Sequence, residues 1–172
     1  MSSRIAFLVK ILAVTLLLFG SYYLFFLRPK LELANSLLQA EKTLGGQMFN
    51  LTQNRVAYVE LTRLEPKGEN FNLEKSNLVG TLQKTIKEGR DLLAGEVKIP
   101  KINPELTERF PTLLEETKAF YERQDDFLKK VFQTKSYPEG VVLMKSQEAV
   151  DLLTKQTNLI LEYQFWLGRI KE

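Results

Sequence analysis

The tightest groupings of ionisable side chains in this sequence are the pairs Glu115-Glu116 and Asp125-Asp126, the one arrangement that hints at two-carboxylate chemistry. Adjacent residues on a helix point about 100° apart, so neither pair converges on one substrate atom, and solvated helix surface is the expectation for both. The chain has no histidine and no cysteine. The usual general base, the commonest transition-metal ligand, the thiolate nucleophile, the zinc knuckle, the disulfide framework and the lipid-modified cysteine are therefore all excluded. Glu-x-x-His ligands of carboxylate di-iron bundles are excluded with them. No phosphate-cradling glycine loop, nucleophile elbow or EF-hand loop is present, and the Asn50-Leu51-Thr52 sequon matters only in a eukaryotic secretory context. No catalytic, cofactor-binding or metal-ligating residue is assigned, and the chain is expected not to be an enzyme and to carry no cofactor.

What the residues do specify is placement. Of the 172 residues, 24 are Lys or Arg and 21 are Asp or Glu, a formal net charge of +3. Arg4, Lys10, Arg28 and Lys30 fall within residues 1–30, which contain no acid, and this leaves 20 basic against 21 acidic residues in the rest. The excess charge thus flanks one apolar segment, and the remainder is a balanced surface with no footprint for nucleic acid.

That segment, Ile5 to Leu27, is expected to be a transmembrane helix behind a short tail at residues 1–4. At about 1.5 Å per residue it spans roughly 34 Å, against a hydrocarbon core of about 30 Å. Lys10 can carry its ammonium toward the headgroups along its stem, and Tyr22, Tyr23 and Arg28 mark the opposite interface. A cleaved signal peptide is the competing reading. Its small-residue cleavage pattern is missing, since Gly20 and Ser21 are followed only by bulky residues. The short basic tail favours a cytoplasmic N-terminus, which places residues 31–172 outside the cytoplasm.

From Pro29 onward the hydrophobic period is helical, and residues 28–172 read as one helical domain. Leu37, Leu44, Leu51 and Tyr58 recur every seven residues, with Leu31, Ala34, Met48 and Val59 beside them. They predict a first helix over about 30–64, weakened at Gly45-Gly46 and ended by Pro66, Gly68 and Asn70. A second helix over 73–94 starts after an Asn72 cap, carries Val79, Leu82, Ile86, Gly89 and Leu93 on its apolar face, and stops at Gly95. An extended connector leads to Asn103, which caps a third helix over 104–135 with Pro104 in its first turn. Leu106, Phe110, Leu113, Thr117, Phe120, Gln124, Phe127 and Val131 form its stripe, with a kink or a later start at Pro111. SYPEG breaks the chain at 136–140 before a last helix over 141–171, with a restart at Ser146.

Together these features predict an all-α protein: a single transmembrane helix followed by an antiparallel four-helix bundle in up-down-up-down order. That order returns the C-terminus toward the membrane. The run from Tyr163 to Lys171 is apolar almost all round; core packing accounts for part of it, and Tyr163, Phe165 and Trp166 are candidate contacts for lipid or a partner. Near-heptad spacing leaves weak homodimerisation through the membrane-proximal half open. In outline such a module resembles bacterial chemoreceptor sensing modules, from which it departs in having no second membrane helix or signalling domain after residue 172. The expected function is that of a structural or adaptor protein of the cell envelope, with membrane lipid and another envelope protein as partners. The alternative is an extracytoplasmic module holding a small ligand or lipid between its helices.

Overall fold

The computed structural model describes residues 3–63, 71–95, 104–133 and 137–171. Among these residues the chain is helical almost throughout and contains no strand. Helix α1 (Ser3–Tyr22) passes through a π-helical turn (Tyr23–Leu27) into α2 (Arg28–Arg63) without a break. The remaining elements are α3 (Phe71–Ala94), α4 (Pro104–Gln133), the short α5 (Tyr137–Met144) and α6 (Gln147–Lys171).

The π turn lies just before Pro29, whose ring crowds the carbonyl of residue 25 and whose nitrogen has no proton to offer it. The chain widens there by one residue, with the Arg28 N–H bonding back to the Tyr23 carbonyl. Pro29 is thereby absorbed, and one continuous helix of roughly 90 Å runs from Ser3 to Arg63. The glycine pair at 45–46 is absorbed too, since α2 runs through it.

Helix α2 packs against α3 and α6, α4 also contacts α3 and α6, and α5 lies against α4 and α6. Cross-helix hydrogen bonds give the direction of each neighbour. Gln47 reaches Gly89 while Asn54 reaches Thr85, so numbers fall on α3 as they rise on α2. Thr117 meets Tyr163 and Lys130 meets Glu148, the same reversal between α4 and α6. Every residue expected in the α4 stripe is buried. On α6 the buried positions are Ala149, Leu152, Gln156, Leu159, Tyr163 and Trp166, alternating by three and four, close to the heptad spacing that suits near-parallel packing.

Some boundaries differ from expectation. Leu31 and Ala34 are exposed, and Leu37 is only half-buried. The last turns of α6 stand level with the middle of α2, because a Cβ added at Gly45 would lie 4.0 Å from Leu167 Cδ2. Among the described residues none packs over the first turns of α2 at Leu31 and Ala34. Helix α3 already includes Phe71 and Asn72, so Asn72 belongs to its first turn and is not its cap; Glu74 does sit in that turn. Tyr137 to Gly140 open a helix instead of breaking one, since a proline in a first turn gives up an N–H that would have no partner anyway. The break comes at Lys145 and Ser146, where two amides bond three residues back. The Ser146 hydroxyl then accepts from the Ala149 amide to start α6. Pro66, Gly68 and Asn70, the connector after Gly95, and the Asn103 cap lie outside the described residues.

Candidate functional site: a polar core layer and an uncovered helix face

Helix α2 turns an unusual seam toward the core. Ser36, Ala40, Thr43, Gln47, Asn50, Asn54, Ala57 and Leu61 are all buried and alternate by four and three residues. Five of these eight are polar. Reading only apolar periodicity finds their neighbours Leu44, Leu51 and Tyr58 and misses this row; the same alternation of small and amide side chains was the available signal.

Amides on three helices and a phenol meet at mid-height. Gln47 Nε2 donates to the Gly89 carbonyl at 2.8 Å, and the Tyr121 hydroxyl donates to Gln47 Oε1 at 3.0 Å. Asn50 Nδ2 donates to the Thr85 carbonyl at 2.5 Å and to the Tyr121 oxygen at 3.0 Å. Asn54 Oδ1 accepts from both Gln124 and Gln156 at 2.7 Å, while Asn54 Nδ2 donates to Thr85 Oγ1 at 2.9 Å. Below this level the Thr117 and Tyr163 hydroxyls pair at 2.8 Å. Among the described residues two buried side-chain atoms remain without a hydrogen-bond partner, Gln124 Oε1 and the Tyr58 hydroxyl. Gly89 has no side chain for a reason of its own: a Cβ there would run into the Tyr121 ring.

A second polar cluster ties α4 to α6 near the surface. Arg109 bridges Glu162 at 2.5 Å and Glu116 at 2.7 Å, Lys155 also bonds Glu116, and Trp166 Nε1 donates to Glu162 at 3.4 Å. Glu116 is thus ion-paired with Arg109 and Lys155, and Asp125 and Asp126 both pair with Lys129. Among the described residues no three acidic side chains group closely enough to hold a metal ion.

These surroundings predict how stability follows pH. Hydrogen bonds from Arg109 and then Lys155 hold the Glu116 carboxyl below its ordinary value near 4.5. Its contribution is present above that value and is lost as pH falls through the lower folded-state one. Burial pushes the Tyr58, Tyr121 and Tyr163 hydroxyls well above their ordinary value of 10.0. The folded state then keeps protons that the unfolded chain releases, so stability falls as pH rises past about 10. With no histidine between these limits, thermal melts should give a plateau from about pH 6 to 9 and a decline on either side. A midpoint rising steadily across neutral pH would contradict this account.

The membrane-interface candidates all lie on the uncovered part of the long helix. From Phe7 to Leu27 no side chain is buried by the rest of the chain, and this stretch is long and apolar enough to cross a membrane. Lys10 and Arg28 stand about 27 Å apart along the axis. Tyr22 stacks on Phe26 with ring centroids 5.6 Å apart, and Arg28 pairs with Glu32 at 2.9 Å.

The structure separates the three C-terminal candidates. Tyr163 and Trp166 are inside, the latter 6% exposed, because they fall on the 3-4 row that α6 turns to the core. Of the three, Phe165 is the exposed one, at 51%, with the Arg169 guanidinium 5.3 Å from its ring centre. No protein-family model, curated protein or solved structure matches this chain. Two features of the chain bear on its function, a self-bonded polar layer and a long helix with an uncovered apolar side.

Proposed function

We propose that the chain is a single-pass membrane protein whose residues 31–172 form an antiparallel four-helix bundle outside the cytoplasm, acting as a structural or adaptor module that docks another envelope protein. The observation that carries this reading is the one helix from Ser3 to Arg63. Its first third is apolar and covered by nothing else in the described chain, and its remainder supplies a wall of the packed body. Lys10 at one end and Tyr22, Tyr23 and Arg28 at the other frame a span of membrane thickness. The packing of α2 and α4 against α3 and α6 with reversed neighbours supports the bundle, and the basic residues Arg4 and Lys10 support a cytoplasmic side for that end of the span.

Exposed large apolar side chains support docking. Leu38, Phe49 and Val56 on α2 and Val150, Leu161 and Phe165 on α6 are outward-facing, whereas among described residues α3 has none and α4 only Phe132. Lipid is not the expected partner of Phe165. Leu167 is level with Gly45, which lies about 27 Å along the helix from Leu27, while headgroups add only about 5 to 8 Å to each side of the hydrocarbon core.

The anchor is tested by washing membranes with carbonate and sequencing the N-terminus. Retention in the pellet with residues 5–27 intact is the expected result; a soluble chain starting after Gly20 or Leu27 would overturn it. A second reading, a small neutral ligand held between the helices, is favoured by the partnerless Gln124 Oε1 and Tyr58 hydroxyl. Co-purification of a stoichiometric small molecule, with no protein partner, would move the proposal to it.

A further inference from the structure

Successive helical residues turn by about 100°, which puts Leu27, Leu31, Ala34, Leu38, Phe49 and Val56 within roughly 60° of one another on α2 and the turn before it. The register holds because the interval from Leu27 to Leu38, and again from Leu38 to Phe49, is eleven residues, almost three whole turns. All six are exposed, Leu38 by 64% and Phe49 by 65%. The buried seam of Ser36, Gln47 and Asn54 lies on the opposite side of the same helix. At Gly45 the side chain of Leu167 from α6 comes up to the row; the six apolar positions themselves stand exposed, and the body sits behind them.

We infer that the row is the contact between two copies of this chain, packed in parallel along α2 with their bodies turned outward. The inference rests on the anchored reading above. Two copies inserted the same way present the row at the same height, so Leu31 meets Leu31 and Leu38 meets Leu38. Charge fits the same arrangement. Glu41 and Lys42, consecutive and therefore about 100° apart, straddle the row. A two-fold axis along the row sets the carboxylate of each copy beside the ammonium of the other.

Size decides where this pairing is stable. From Leu27 to Val56 the contact is about 44 Å long, and at a helix width of about 10 Å it covers on the order of 400 Å² per copy. That is at or below the lower end for specific interfaces, near 1,000 Å² in total. Dimers therefore form where the membrane confines both copies and fall apart on dilution in detergent.

Because the chain has no cysteine, single replacements report on this face without background. Leu38→Cys and Val56→Cys on the row, and Gln39→Cys and Arg55→Cys beside it, are all at exposed positions that leave the core untouched. Full-length variants are expressed with two different tags, and their membranes are treated with mild oxidant or a short bis-maleimide. The expected result is a doubly tagged band of twice 19.9 kDa, several-fold stronger for the two row positions than for their neighbours. Equal linking at all four positions, or none at any, would overturn the inference. Recovery of the chain in the soluble fraction would instead sink the anchored reading, and cross-linking scored in that fraction would still decide the row.

Discussion

Replacing Phe120 with Ala should lower the stability of a chain beginning at residue 31 by about 3 to 5 kcal/mol, as read by urea unfolding followed by circular dichroism. Phe120 is 2% exposed, on a stripe of α4 whose eight members are all buried, with its ring 5.6 Å from that of Tyr121. Truncation removes the transfer free energy of the ring and leaves a space that neighbours held by hydrogen bonds and close packing fill only in part. Phe132, next in sequence to Val131 but turned about 100° off the stripe and 39% exposed, provides the contrast: its Ala variant should change stability by less than about 1 kcal/mol. Similar small losses at both positions would mean that the α4 stripe does not face a packed core.

Asn54→Leu is expected to be nearly as damaging, at roughly 2 to 5 kcal/mol, although it empties no space. Asn54 Oδ1 is where the Gln124 and Gln156 amides converge, and its own amide bonds Thr85. A leucine of similar size fills the volume but returns none of these bonds. The Gln124 amide is then stranded in a place where its Oε1 already lacks a partner, whereas Gln156 keeps its bond to the Leu51 carbonyl at 3.1 Å. An unsatisfied buried group costs about 1 to 3 kcal/mol, and the shared acceptor couples several of them. Combining Asn54→Leu with Gln124→Leu should recover part of the loss, since the stranded group is removed with its partner. A double variant that is as unstable as the two separate losses added together would show that the residues act independently.

The polar layer also bears on how this helical body settles into one arrangement. Rows of apolar residues with a 3.5 period tolerate sliding by a heptad, because Leu meets Leu again. A layer in which Gln47 must find the Gly89 carbonyl and Asn54 must find two amides does not tolerate such a slip. Gly89 reinforces it, since a side chain at that position would collide with the Tyr121 ring.

Much of the architecture was legible in particular residues. The uncovered apolar span and its flanking charges follow from composition, and the α4 stripe from Leu106 to Val131 follows from spacing alone. Ser146 as a helix start follows from side-chain chemistry. Other features were not legible, for identifiable reasons. Leu31 and Ala34 share a helical period with residues that are buried. Periodicity tells that a helix has an apolar side without telling whether a neighbour is long enough to cover it. The π turn before Pro29 and the helix opening at Tyr137 depend on how the backbone accommodates proline, for which propensity offers two outcomes, a break or a first turn.

By itself, then, the sequence determined the helices, the membrane-length segment, the apolar faces and the absence of histidine and cysteine chemistry, because these depend on residue type and on intervals of a few residues. Only the tertiary structure decided which polar residues are inside and which apolar ones stay outside. Asn50 and Gln47 are buried because carbonyls 35 and 42 residues away are placed to receive their protons, and Trp166 is inside because α2 and α4 close over the row it occupies. Burial of an amide is favourable only where its partners are already positioned, and positions that distant are set by packing, which no local pattern encodes.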